Sequence, residues 1–258
     1  MAGFEETRFE IGGVVSRTFG TIGANAPLFV GLALILTGPP AVAMQLWQAM
    51  NFAFGSQPDP AAVFTLAYFG PISVGWLVAT VSGAVLQAAL TRATVTHLSG
   101  EKPNFMRCLM VGLTMILPMI GIGVLMMLGV FFAMLFLIVP GIILWLCWSV
   151  VVPVYVQEKV GFFEAFGRSL ELTRGWRWRI FLTMLLLVIL AWLFSVATTM
   201  LTAAVHAAIG SIFVTALIGG GLAALSSMVM VTAQASIYIE LRNVKEGVAP
   251  ADLEAIFA

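Results

Sequence analysis

Six stretches of this chain are apolar for about 20 residues or more, or nearly so, and each must be placed in lipid before any other feature of the fold can be argued. They lie at about 26 to 50, 62 to 93, 106 to 138, 141 to 157, 180 to 206 and 211 to 239. The first carries Gly38-Pro39-Pro40 in its middle. The third is too long for a straight span and the fourth is short. Proline lacks an amide hydrogen and disfavours helix at the residue before it, so Val139-Pro140 predicts a break, with a tight turn at Pro140-Gly141. Charged residues make up only 9% of the chain and the mean hydropathy is +1.06, whereas a soluble domain carries about 25% charged residues. Too few charges exist to clothe a soluble surface. The expected fold class is therefore all-α, a polytopic integral membrane protein of about six transmembrane helices in a single membrane domain over 1–258. Its parts are an amphipathic N-terminus at 1–25, a membrane region at 26–240 and a tail at 241–258.

The distribution of cations orients this layout. Arg8 and Arg17 precede the first span, and Arg92, Lys102 and Arg107 surround the second connection. Lys159, Arg168, Arg174, Arg177 and Arg179 lie between the fourth and fifth spans, and Arg242 and Lys245 follow the sixth. All twelve fall on one side. The three opposite connections hold Asp59 as their only acidic residue and no Lys or Arg. Cationic loops stay in the cytoplasm, so both termini are expected there. The N-terminal MAGFEETRFEIGG has no basic stretch followed by a short apolar core and cleavage site, so the first span is expected to serve as the insertion signal. Net charge is zero, which points away from nucleic acid. Cys108 and Cys147 fall at different depths, so no disulfide is expected.

Two cationic-side segments have the spacing of surface helices. In GFFEAFGRSLELTRG, at 161–175, Phe163, Phe166 and Leu170 share one side while Glu164, Arg168 and Glu171 share another, with Glu164 and Arg168 at i,i+4 pairing distance. Such a helix lies along a membrane surface. FEIGGVVSRTFGTIG repeats the pattern more weakly. SRTFGTIGANAPLFVGLALIL and GRSLELTRGWRWRIFLTMLLL share a small residue, an arginine, an apolar entry and a following span, and EKPNFMRCLMVGLTMIL is a degenerate third version. A three-fold repeat of surface helix plus membrane hairpin is expected.

No charged residue falls near the middle of a span, which argues against ion-coupled or proton-coupled transport. Arg92 and Glu240 are near enough to the cationic ends to reach the interface. Uncharged polar residues do enter the spans: Gln45, Gln48, Gln87, Ser149, Ser195, Thr198, Thr199, Thr202, Ser226, Ser227, Thr232, Gln234 and Ser236. Bonds between helices explain most of these; a polar path involving Gln87 and Gln234 stays open. Thr215, Gly219, Ala223 and Ser227 recur at four-residue spacing and predict close helix packing, within the monomer or in a dimer. In RGWRWRIF, Arg174, Arg177 and Arg179 alternate with Trp176 and Trp178, so that arginines meet headgroups and indoles settle at the interface. Together with Arg168 these are candidate contacts for anionic phospholipid, or simple anchors. His97 and His206 fall at opposite faces and cannot share a metal, and no nucleophile elbow or phosphate loop occurs. No catalytic, cofactor or metal site is expected.

PGIILWLCWSVVVPVYVQEKVGFFEAFGRSLELTRGWRWRIF, FEIGGVVSRTFGTIGANAPLF, and YIELRNVKEG followed by DLEAIF span most of the chain and resemble one known family. The marks are Pro140-Gly141, Pro153, Glu158, Glu164-Ala165 to Arg168-Ser169, Leu172 to Gly175, Tyr238 and Leu241-Arg242. The chain resembles the bacterial membrane-domain family named after glycerophosphoryl diester phosphodiesterase, and more broadly the YciC-like inner-membrane proteins. Some relatives fuse this membrane part to a phosphodiesterase domain, which has no counterpart in this sequence. The resemblance implies a bacterial inner-membrane protein concerned with lipids or envelope upkeep. The expected role is non-enzymatic, organising or handling lipids or membrane partners; the alternative is a transporter or channel for a neutral or lipid-like substrate. Protein partners and oligomeric state are left open.

Overall fold

The computed structural model describes residues 9–51 and 66–247, and every regular element among them is helical. In chain order these are α1 (Ile11–Ala24), α2 (Ala26–Leu36), α3 (Gly38–Asn51), α4 (Leu66–Leu98), α5 (Phe105–Thr114) and α6 (Ile116–Phe136). They continue with α7 (Ile138–Cys147), α8 (Val151–Glu158), α9 (Phe162–Thr173), α10 (Arg177–Ile209) and α11 (Ile212–Glu246). Arg8, the connection holding Asp59, and the DLEAIF tail lie outside the described residues. Five stretches are long and apolar enough to cross a membrane: Gly70–Leu98, Ile116–Phe136, Ile138–Glu158, Arg177–Ile209 and Ile212–Glu246. Except in Ile138–Glu158, half of whose window is buried, their side chains are mostly turned outward. In the apolar window of α6 only 11% of residues are buried. A face of that kind is stable only with lipid as its solvent.

The candidate for a sixth crossing involves α2. Counted with α1 it makes a pair bent by 88° at Asn25, and α1 is the amphipathic segment. Toward α3, in contrast, hydrogen bonding runs on through the break, with Thr37 N donating to Ala33 O at 2.9 Å and Ala41 N to Thr37 O at 3.2 Å. Gly38-Pro39-Pro40 is thus passed inside a helical run of about 39 Å. Prolines fit there because they occupy the first turn of α3, whose amides need no helical acceptor.

The short-helix-then-hairpin order recurs three times: α1 before α2–α3 and α4, α5 before α6 and α7–α8, and α9 before α10 and α11. The middle copy differs in that α5 packs along α4. A Cβ on Gly112 would come within 2.6 Å of Val85 O. At the centre stands α11, which packs against α3, α10, α1, α4, α2, α8 and α9. From Thr232 to Leu241 it is buried at every position but Gln234.

Three sequence expectations need correction. The turn between the third and fourth spans is at Leu137, whose backbone is extended, and Pro140-Gly141 sits in the first turn of α7. Proline is at ease in a first turn, and Gly141 serves close packing: a Cβ there would lie 3.1 Å from the backbone of Met134 across the hairpin. The fourth span is two helices joined by a buried corner at 148–150. Glu164 does not pair with Arg168; its Oε2 accepts from Gly161 N at 3.1 Å and so caps its own helix. Cys108 and Cys147 are buried free thiols.

Candidate functional site

Two features compete as the working part of the molecule, and they lie at opposite ends of α11. The first is a polar network where the cationic ends of the helices meet. Glu158, the last residue of α8, accepts from Tyr238 Oη at 2.9 Å and from Arg168 Nε at 2.9 Å. Arg168 also pairs with Glu246 and, at 3.7 Å, with Glu171. Glu246 in turn takes a bond from Arg242 Nε at 2.9 Å. Burial alone would pull the Arg168 guanidinium down, but the bonds to Glu158 and Glu246 outweigh it and hold Arg168 above its ordinary range. Glu158, Arg168, Tyr238 and Arg242, all quoted above for the family resemblance, thereby meet at one place. Across α11 from them, Glu240 is 5% exposed and is bonded by Arg17 and, at 3.1 Å, by Glu10 N. Neither Glu240 nor Arg92 reaches out alone to the interface, since Arg92 Nη1 donates to Gln157 Oε1 at 3.1 Å. A carboxylate this deep is tolerable only with a cation and a donor beside it.

The predicted headgroup candidates divide accordingly. Arg168 is held inside the network, and Arg179 donates to Phe9 O at 2.5 Å and lies 5.2 Å from the Trp176 ring centroid. Trp176 also stacks on Phe9. Arg174 and Trp178 face outward, Trp178 with 70% of its surface exposed. Arg177 is half-buried and its Nε has no hydrogen-bond partner.

Above this network, the corner between α7 and α8 leaves carbonyls without helical donors. Pro153 has no amide hydrogen for Ser149 O, and Val151 N turns to Trp148 O at 3.2 Å instead of Cys147 O. Side chains from other helices take their place. Ser169 Oγ donates to Cys147 O at 2.7 Å, and Gln234 Nε2 donates to Ser149 O at 2.6 Å. Gln87 Nε2 then donates to Gln234 Oε1 at 3.0 Å. Gln87 and Gln234, predicted as a polar path, are thus brought together as a chain of bonds that satisfies a broken span.

The second feature is a groove of about 1800 Å³ between α3, α4, α6, α10 and α11. It begins near the far helix ends, at Gln48 and His206, and reaches down to Gln87, Met230 and Val231. Drug-sized pockets run to about 1,000 Å³, so this volume suits a longer molecule. Among the described residues no Asp, Glu, Lys or Arg lines it. Hydroxyls of its lining are bonded along their own helices, among them Thr198 to Phe194 O, Thr199 to Ser195 O and Thr202 to Thr198 O, each at 2.9 Å, and Ser227 to Ala223 O at 3.1 Å. Those four donors are engaged within their helices, whereas the hydroxyls of Ser195 and Ser226, also on the lining, have no such bond among the described residues. Ser195, Thr199, Ala223 and Ser227 are exposed along it.

The small-residue stripe lies at the edge of this groove. Thr215, Gly219, Ala223 and Ser227 all line it, while the buried seam runs one residue further on, through Ala216, Gly220 and Ala224. A Cβ on Gly220 would lie 2.8 Å from Val42 N and 3.0 Å from its Cα, so α3 and α11 touch backbone to backbone. Gly219 shares this contact, with Gln45 Nε2 2.8 Å from where its Cβ would be.

Gln45 and Gln48, placed among the polar residues expected to bond between helices, have no such bond among the described residues, and both line the groove. Among the described residues no three His, Cys, Asp or Glu side chains are placed to hold a metal ion. Compared with protein-family models, curated proteins and solved structures, the chain finds no match in any of the three.

Proposed function

We propose that this multi-pass membrane protein is a non-catalytic module that handles lipid, with its acyl chains lodged in the groove. One observation carries the reading: the groove is large, uncharged and lined by outward-facing positions of α10 and α11, yet it stops at Gln87. Beyond that point Ala88, Ala89, Leu90 and Ala93 are wholly buried, and the ionic network ties the helices together. A channel or transporter, the alternative, needs a path that continues to the other face. A lipid needs only a lateral seat.

The proposal extends to orientation and place: both termini in the cytoplasm of a bacterial cell, with the protein in the inner membrane and related to the phosphodiesterase-named membrane-domain family. The cationic connections support the orientation. At that face Arg174, Arg177 and Trp178 are the side chains left for headgroups, each basic residue being worth about 1 kcal/mol against an anionic leaflet. Native mass spectrometry of the purified protein tests the reading. Retained phospholipid is expected, and Ala223→Trp, which fills the groove from an exposed position, should remove most of it. Lipid retention unchanged by Ala223→Trp, and again by Thr199→Trp, would overturn the groove as its seat. Reporter fusions at Gly210 should behave as external and those at Val160 as cytoplasmic.

A further inference from the structure

Glutamine side chains inside a lipid-facing groove are the least expected feature of the far half. Gln45 and Gln48 stand on α3 one turn apart, and neither amide has a hydrogen-bond partner among the described residues. Each carries two N–H donors and one carbonyl acceptor. A polar group without a partner in an apolar surrounding is costly, and in a bilayer no bulk water offsets that cost. In the nearer half the glutamine amides of the broken span are satisfied, in the chain from Gln87 through Gln234 to Ser149 O. Both amides line the far part of the groove, Gln45 against Gly219 of α11, and Thr215 and His206 line it as well. Thr215 Oγ1 and His206 Nδ1 lie 3.5 Å apart there.

From this arrangement we infer that the mouth of the groove recognises an uncharged glycerolipid of the leaflet opposite the cationic face, its hydroxyl and ester carbonyls bonded by Gln45 and Gln48. The inference rests on the lipid-handling reading and adds the headgroup class to it. Charge complementarity selects the class. A phosphate brought to this part of the groove would meet no Lys or Arg among the described residues, whereas a hydroxyl and an ester carbonyl match amide acceptors and donors. Geometry selects the attachment. Along α11 the distance from Gly219, beside Gln45, to Gln234, beside Gln87, is about 22 Å, so a chain hung from the mouth spans most of the hydrocarbon thickness of about 30 Å. The threonine hydroxyls of α10 along the way have their donors engaged within the helix and offer lone pairs beside the methylenes.

The test uses the full chain in detergent with an equal mixture of diacylglycerol, phosphatidylglycerol and phosphatidylcholine of matched chains, read by native mass spectrometry. The parent is expected to retain diacylglycerol several-fold above its share. Gln48→Leu, at an exposed position that leaves packing alone, and Gln45→Met, near in shape, should each lower that enrichment, and together should abolish it without changing total chains bound. Arg174→Gln with Arg177→Gln should leave it intact. If all three lipids are retained in proportion to their supply, and all are lost on Ala223→Trp, the groove holds lipid but the headgroup inference falls. If enrichment survives the double glutamine variant while its melting matches the parent, the inference falls as well. Retention of no lipid at all would remove the lipid-handling reading itself.

Discussion

At the cationic end, side chains bond from one helix to another: Arg17 to Glu240, Arg168 to Glu158 and Glu246, Tyr238 to Glu158, Arg179 to the backbone of Phe9. In the far half, Thr80, Thr198, Thr199 and Ser227 bond only to the preceding turn of their own helices. One set of bonds fixes the distances between helices and the other leaves them unconstrained. The difference teaches where a molecule can be lodged without unfolding the protein. Polar bonds between helices belong to the sewn half, and the space for a ligand belongs to the half where helices meet by close packing of small residues or not at all.

Four substitutions test that contrast. Gly220→Leu should have the largest effect, because the new side chain meets the backbone of Val42 and α3 cannot yield without leaving α11; a loss of about 3 kcal/mol is expected by thermal unfolding in detergent. A melting point equal to the parent would mean that the far half is not held by this contact. Arg17→Met comes next. It strands Glu240 at 5% exposure, with Glu10 N as its remaining donor. Breaking a fully buried pair costs about 3–5 kcal/mol, and the partial exposure of Arg17 reduces the expectation to about 2 kcal/mol. Adding Glu240→Gln should restore most of the loss, and failure to do so would show that α1 is held by packing instead.

Gln234→Leu leaves Ser149 O and Gln87 without their partner, yet intramembrane bonds of this kind are worth about 0.6 kcal/mol on average. A loss of about 1 kcal/mol is expected, checked by the same melts with Gln87→Leu as the second corner of a double-mutant cycle. Additive losses would show that the two amides do not act as one chain. The smallest effect belongs to Ala223→Leu, at an exposed position on the groove, with a shift below about 0.5 kcal/mol. Its neighbour Ala224 is buried, so Ala224→Leu gives the opposite result if the groove and the seam are one residue apart.

How far the sequence led can be judged at single positions. The surface helix expected at 161–175 is α9, Phe162–Thr173, but of the apolar side read from Phe163, Phe166 and Leu170 only Phe166 is buried, and the buried face is completed by Ala165, Ser169, Leu172 and Thr173. The bond between Gln87 and Gln234 was within reach, since both amides lie in the cationic halves of their spans and each needs a partner. The partner of Arg168 was not. A local rule offers Glu164 at i,i+4, whereas Glu158 and Glu246 are brought to Arg168 by a turn and by a helix 78 residues away. The stripe on α11 was ambiguous for a different reason. Thr215-Ala216, Gly219-Gly220 and Ala223-Ala224 are pairs of small residues, so two adjacent stripes have the same composition and spacing.

What the sequence determined by itself are properties that add up along one dimension: enough consecutive apolar residues to cross lipid, cations placed on alternate connections, and prolines that limit where helices begin. Each of these depends on a residue and its near neighbours. The tertiary structure alone decided which face of α11 meets α3, that the hairpin turns at Leu137, and that α10 stands off from α3, α4 and α6 far enough to leave a groove. Those outcomes depend on axial rotation and on distances between helices, where a shift of one residue turns a side chain by about 100° and changes whether it meets backbone, lipid or open space.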